Sequence, residues 1–274
     1  MSDLAPVIKS KIYANLDMLS SCEVYACCNG EVAIYTHRSP LKESPNEDSA
    51  AVFCIDDQTG VFVVADGMGG VPSGREASAI TVHSIQASLK CVTTQDSGLR
   101  DHILDGIEKG NREINSLGVG AGSTLAVVEL NDRVLRTYHV GDSMILVIGQ
   151  RGKIKLQTTP HSPVGYAVQA GIMDEIEAIN HEDRHLVSNI LGSSDMHIEI
   201  GSEIKLGRYD TVLLASDGLY DNLLISEISE RIRKGPLESA AVSLIEECSK
   251  RMEDPQSGHP SKADDMTFIV YRRT

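Results

Sequence analysis

One phrase occurs twice in this chain. Val61-Phe-Val-Val-Ala-Asp66-Gly67 and Val212-Leu-Leu-Ala-Ser-Asp217-Gly218 each read as a fully apolar, buried strand that ends on Asp-Gly. Asn46-Glu47-Asp48 immediately precedes another strand, Asp264-Asp265 precedes a further one, and Asp142 lies in Gly141-Asp142-Ser143 at a strand end. Carboxylates therefore sit at strand tips in five places. If the tips converge, repulsion and desolvation cost several kcal/mol unless cations neutralise them. Oxygen ligands without a nearby His or Cys favour Mg²⁺ or Mn²⁺ over Zn²⁺, and Gly67 would let its backbone carbonyl approach a metal closely. A single Asp-Gly is more often just a turn; the repetition is what points to a site.

The surrounding elements read as follows. Gly30–Tyr35, Ser49–Ile55 and Val61–Ala65 are strands, with turn chemistry at Asp56–Gly60. Ser73-Gly-Arg-Glu76 has capping-box spacing and opens a helix through Ala77, Ile80, Ile85 and Leu89. A second helix runs from near Leu99 through Ile103, Ile107 and Ile114. Thr124–Leu130, Arg133–Val140 and Met144–Ile148 read as a three-stranded antiparallel meander. Pro160 to Gly192 is mixed, Asp210–Ala215 is a strand, and Pro236 opens a helix whose apolar stripe is Leu237, Ala240, Ala241, Leu244, Ile245, Cys248 and Met252. Met266–Tyr271 closes the chain as a strand. The meander argues for antiparallel sheets rather than a doubly wound parallel one. One domain over 1–274 is expected, with about 1–25 as an N-terminal extension that docks or stays disordered.

Composition narrows the function. With 39 Asp and Glu against 25 Lys and Arg, the formal net charge is −14, which disfavours a nucleic-acid binder. No apolar run is long enough to span a membrane and no targeting peptide is evident, so a cytoplasmic protein is expected. The six cysteines, Cys22, Cys27, Cys28, Cys54, Cys91 and Cys248, form no Cys-x-x-Cys pair. They read as reduced thiols, with a soft-metal site at Cys22, Cys27 and Cys28 as the lesser alternative. His139, in a strand, reads as a satisfied core or rim residue rather than a ligand.

Asn46-Glu47-Asp48-Ser49, Val64-Ala-Asp66-Gly67-Met68-Gly69-Gly70, Gly122-Ser-Thr124, Val140-Gly-Asp142-Ser143, Ala215-Ser-Asp217-Gly218-Leu-Tyr-Asp221 and Asp264-Asp-Met-Thr267 follow one another in the order and spacing of a known family. From Asn46 to Arg272 the chain resembles the metal-dependent, type 2C protein phosphatases. The resemblance implies an α+β fold, a four-layer αββα sandwich of two antiparallel sheets flanked by helices. It implies two Mn²⁺ or Mg²⁺ ions: Asp66 bridging them, the Gly67 carbonyl on one, Asp217 and Asp264 on the other, and Asp142 helping to hold a third. Glu47 and Asp48 would orient water, and with Asp66 they form the catalytic set. Two ions about 3.5–4 Å apart would hold a hydroxide for in-line attack on phosphorus, while neutralising phosphoryl charge. The implied partners are phosphorylated proteins, substrates of serine/threonine kinases.

The match departs in places. Glu43 stands where relatives carry a phosphate-gripping Arg; Lys42 and Arg38 are the nearby candidates, although Lys lacks the bidentate fork. Met144 stands at another usual Arg, Asp265 where Asn follows the Asp, and Met68 where some relatives have a His proton donor. These departures support a second reading, a catalytically weak or inactive member that binds phosphoproteins as a regulator. A third comes from His181-Glu182-Asp183-Arg184-His185, which matches the zinc-protease signature if it lies on a helix. The 160–192 segment is a candidate flap beside the site.

Overall fold

The computed structural model describes residues 9–18, 21–68, 73–92, 98–255 and 259–273; Gly69 and Gly70 of the glycine-rich phrase lie outside them. Two antiparallel sheets face each other. The first runs, in spatial order, Lys9–Ala14, Ser49–Cys54, Thr59–Ala65, Leu125–Asn131, Val134–Val140 and Glu199–Ile200, with Ile204–Lys205 also paired to Val134–Val140. The second runs Ile154–Gln157, Met144–Ile148, Thr211–Ala215, Met266–Arg273, Gly30–His37 and Glu23–Cys27.

The absence of polar alternation in the central strands has a direct cause: both of their faces are covered. Along Ser49–Cys54, Ala50 and Val52 pack between the sheets, while Ala51 and Phe53 pack outward against Val82, Ile85, Leu89, Ile103 and Ile107. Those residues belong to the helices Ser73–Leu89 and Arg100–Ser116. Along Thr211–Ala215, Val212 and Leu214 point to the inter-sheet core, and Leu213 and Ala215 meet Ala241, Leu244 and Cys248. The stripe read from Leu237 to Met252 is buried along the helix Leu237–Glu253. Helix, sheet, sheet, helix is the four-layer α+β sandwich that was expected.

Three features differ from the sequence reading. Leu125–Asn131 and Val134–Val140 form the expected hairpin, but Met144–Ile148 leaves it and joins the other sheet, pairing with Thr211–Ala215 and Ile154–Gln157. The chain changes sheets at Gly141, which has φ +91°. All five residues of Met144–Ile148 are buried, so the strand accepts neighbours on either sheet and its periodicity does not reveal which. Strands also lie before Gly30, where none was read. Lys9–Ala14 forms an edge of the first sheet, and Glu23–Cys27 pairs with Gly30–His37 through Cys28-Asn29, whose φ of +51° and +52° suit a tight hairpin turn.

The cysteines are the third difference. Cys27 and Cys54 form a disulfide across 27 residues, with Cα atoms 6.2 Å apart, and only Cys22, Cys28, Cys91 and Cys248 are free. Cys27 ends a strand of the second sheet and Cys54 a strand of the first, so the bond ties the two sheets together at one corner. The expectation of six reduced thiols is corrected: two strands remote in sequence end side by side, which residue spacing does not reveal. Nor is Cys22 part of the cysteine cluster; it packs in the core beneath the second sheet's helices. Among the described residues no helix is long and apolar enough to cross a membrane.

Candidate metal centre

Strand register brings the acidic tips together. Ser49 lies opposite Ala65, so Asp48 and Asp66 leave the first sheet side by side. In the second sheet Ala215 lies opposite both Met144 and Phe268, which delivers Asp217, Asp142 and Asp264 to one end. Hydrogen bonds join the halves, among them Ser216 Oγ donating to Asp48 Oδ2 at 2.7 Å and the Glu47 N–H donating to Asp265 Oδ2 at 2.8 Å. The Gly122-Ser-Thr124 phrase acquires a function as a clamp. Gly67–Met68 pairs with Gly122–Ser123, the Asp66 carbonyl accepts from the Thr124 N–H at 2.8 Å and Ser123 Oγ at 3.1 Å, and Thr124 Oγ1 lies 2.6 Å from Ser143 Oγ, beside Asp142.

The carboxylates repel one another strongly. Burial, then the charges of Asp48, Asp217, Asp264 and Asp142, pushes the Asp66 carboxyl well above the usual range. Burial and then Asp264 do the same to Asp217. Asp48 is pushed up to about 7 by burial and Asp265, and Asp142 to about 6 by burial and Asp221. This is a place where positive charge is strongly favoured.

The donor set fits divalent cations. Glu47 Oε1, Asp48 Oδ1 and Asp217 Oδ1 are buried and accept no hydrogen bond, although buried carboxylate oxygens normally do. At Gly67 the backbone is packed so closely that an added Cβ would lie 2.1 Å from the Gly74 carbonyl oxygen and 2.6 Å from that of Glu47. No room exists there for a side chain beside the carbonyl expected to face a metal. Hard oxygen donors of this kind suit Mg²⁺ and Mn²⁺.

Two lysines also enter this end of the molecule. Lys42 Nζ pairs with Glu47 and, at 2.8 Å, with Asp265, so the candidate phosphate group is engaged with carboxylates. Arg38 lies near Asp17 and the Glu43 carbonyl. Lys262 Nζ sits among Asp217, Asp264 and Asp221. Sequence reasoning did not single out Lys262, Asp265 as a backbone organiser, or Asp221 as a charge at the site. The only available signal was proximity in sequence to Asp264 and Asp217. Among the described residues, three His, Cys, Asp or Glu ligand atoms lie within 4.8 Å of one another only at Cys27, Cys28 and Cys54 and at His139, His161 and Glu199. The acidic residues thus surround a broad site rather than one point.

The protein phosphatase 2C family pattern matches residues 37–259, well over half of the sequence. The chain belongs to the protein phosphatase 2C family. It is 33% identical over 196 residues to a putative protein phosphatase 2C-type protein of Streptococcus pyogenes, covering 68% of this chain and 78% of that one. It is 31% identical, with the same coverage, to the protein phosphatase PhpP of Streptococcus pneumoniae. Among solved structures it resembles the Streptococcus agalactiae serine/threonine phosphatase with a TM-score of 0.77 and 27% identity, covering 89% of this chain and all of that one. It is a protein serine/threonine phosphatase.

In this phosphatase the zinc-protease reading does not survive. Glu182–His185 is a single 3₁₀ turn with His181 as its N-cap, and His181 Nδ1 accepts from the Asp183 N–H at 3.1 Å. The signature needs an α-helix to bring histidines four apart to within reach of one ion, and this turn is not one, so the pair does not form that zinc site. Arg184 instead reaches Asp221 at 3.8 Å. The 160–192 segment carries the helices Pro163–Gln169 and Glu175–Ile179, and a cavity of about 360 Å³ between it and the acidic end is lined by Asp142, Asp217 and Tyr220 on one side and Val164, Val168 and Ile179 on the other.

His139 is a buried structural residue, as its strand position indicated. Its ring lies 4.1 Å from that of His161, and Nε2 is 3.0 Å from the Thr159 carbonyl. His161 Nδ1 accepts from the Gly141 N–H at 3.1 Å and lies 2.8 Å from Asn189 Nδ2, which fixes the turn before Asp142. Burial and the neighbouring His161 push His139 down to about 4, with His197 acting in the same sense and Glu199 opposing. A histidine kept neutral in the fold but protonated when unfolded, with an ordinary value of about 6.5, costs stability as the pH falls below that value. Denaturant midpoints should drop from pH 7 to pH 5 more steeply in the native sequence than in His139→Gln; equal slopes would contradict this.

Proposed function

We propose that this phosphatase hydrolyses phosphoserine and phosphothreonine in proteins phosphorylated by serine/threonine kinases, using two Mn²⁺ or Mg²⁺ ions held by Asp66, the Gly67 carbonyl, Asp217 and Asp264, with Asp142 available to a third. The observation that carries this reading is the set of buried carboxylate oxygens without hydrogen bonds, from Glu47, Asp48 and Asp217, at the end where the strand tips meet. Bound there, the ions would supply a water activated for in-line attack and would neutralise phosphoryl charge. The chain's own residues hold the geometry. Asp48 is fixed by Ser216 and is positioned to accept a proton at Oδ1. The Ser123-Thr124 clamp sets the Asp66 backbone, and Asp265 holds the Ser39 and Glu47 N–H groups at 2.8 Å. The fold is shared with the catalytic domain of the serine/threonine protein phosphatase PstP, crystallised in complex with two manganese ions, at a TM-score of 0.69 and 23% identity.

Hydrolysis of p-nitrophenyl phosphate and of a phosphothreonine peptide, measured with Mn²⁺, Mg²⁺ or a chelator, tests the proposal. Turnover should appear with Mn²⁺ and disappear on chelation. The regulator reading is favoured by Glu43 and by Met144, which is a buried strand residue here. Mn²⁺ binding and phosphopeptide binding without turnover would establish that reading instead.

A further inference from the structure

Lys262 has no counterpart in the site's expected chemistry, yet it is built into it. Its ammonium pairs with Asp217 and lies 2.9 Å from Asp264 Oδ2 and 3.1 Å from Asp221 Oδ2. The side chain is only 21% exposed. Its backbone is fixed on both sides by one residue: the Lys262 N–H donates to Asn222 Oδ1 at 2.9 Å, and Asn222 Nδ2 donates to the Lys262 carbonyl at 2.8 Å. Asn222 Nδ2 also donates at 2.9 Å to the carbonyl of Gly218, the residue after Asp217. The cation is thus positioned by Asn222, which lies two residues beyond the short helix Asp217–Tyr220 that carries one of the proposed metal ligands and is bonded back to it.

We propose that Lys262 is a built-in counter-ion that competes with a divalent cation for Asp217 and Asp264. The inference rests on the metal reading above. A lysine between two carboxylates must be displaced, and its three ion pairs broken, before both carboxylates can serve one ion. The ion sharing Asp217 and Asp264 is therefore the more weakly held, and occupancy of this position follows the surrounding Mn²⁺ concentration. In its absence the ammonium offsets the repulsion among the three carboxylates, so the fold tolerates the site without a full complement of metal.

Equilibrium dialysis of the full chain against Mn²⁺, with metal counted per protein, tests this without recourse to turnover. Lys262→Met keeps the length and apolar stem of the side chain and removes the charge; Lys262→Gln serves the same purpose should the first variant fold poorly. Loss of one cation within about 3 Å of both ligands should tighten the weaker Mn²⁺ site by about tenfold or more. Lys262→Arg, which keeps the charge, should leave that site weak. The chelator-treated Met variant should also unfold at a lower temperature than the native sequence. Equal Mn²⁺ affinities with and without the lysine would overturn the counter-ion inference alone. No Mn²⁺ binding by any of these proteins would overturn the metal reading and the inference with it.

Discussion

Asp66→Asn should lower phosphopeptide turnover with Mn²⁺ by on the order of 10²–10³-fold, the scale on which loss of one preorganised electrostatic contact slows an enzyme. The same change should raise the thermal midpoint of the chelator-treated protein. The two effects have one origin. Asp66 is pushed far above its ordinary range by burial and by Asp48, Asp217, Asp264 and Asp142. A carboxyl with a raised folded value is a stability cost at neutral pH, because the unfolded chain ionises freely while the folded chain resists. Asn keeps the shape and removes the charge. It therefore relieves the repulsion and removes the proposed bridging ligand at once, a trade of stability for function. Activity assays and thermal melts in chelator, run on one preparation, check both halves. Undiminished turnover would remove Asp66 from the mechanism, and an unchanged or lower midpoint would show that the carboxylates do not strain the fold.

Gly218→Ala is expected to be among the most destabilising single-methyl additions in the molecule. A Cβ there would lie 2.0 Å from the Asp265 carbonyl oxygen and 2.8 Å from its carbon. Both are backbone atoms, so no side chain can swing aside. Gly67→Ala meets the Gly74 carbonyl at 2.1 Å in the same way. Overpacking against fixed backbone costs about 3 kcal/mol or more, a fall in melting temperature of roughly 6–12 °C for a chain of this size. Gly110→Ala provides the contrast. Its Cβ would meet ordinary contacts at 3.5 Å inside the helix Arg100–Ser116, where Ala is favoured over Gly by about 1 kcal/mol. Thermal melts of the three variants should separate the two site glycines from Gly110. If Gly218→Ala melted with the native protein, the close approach of the Asp217 helix to Asp264-Asp265 would be wrong.

Much of the architecture was legible because it is local. The stripe from Leu237 to Met252 repeats at helical intervals, and it is buried as the spacing indicated. The two strand-Asp-Gly phrases place carboxylates at strand tips whatever the strands pair with. What stayed hidden was the choice of partner. Met144–Ile148 is apolar throughout, so nothing in its pattern distinguishes a third meander strand from a member of the opposite sheet. Glu23–Cys27 turns on Cys28-Asn29, one residue ahead of the Asn29-Gly30 pair that carries the usual hairpin signal, so the strand before it went unread.

The sequence by itself determined most strands and helices, the residue types at the acidic end and the order of the family's phrases, because neighbouring residues encode periodicity and turns; the four layers were implied only by the family resemblance. Only the tertiary structure decided which charges meet. Lys42 finds Asp265 across 223 residues, Lys262 settles among Asp217, Asp221 and Asp264, and Cys27 joins Cys54 across the two sheets. Pairings of this kind depend on how separate strands are laid beside one another, and Coulomb and covalent contacts follow distance in space rather than distance along the chain.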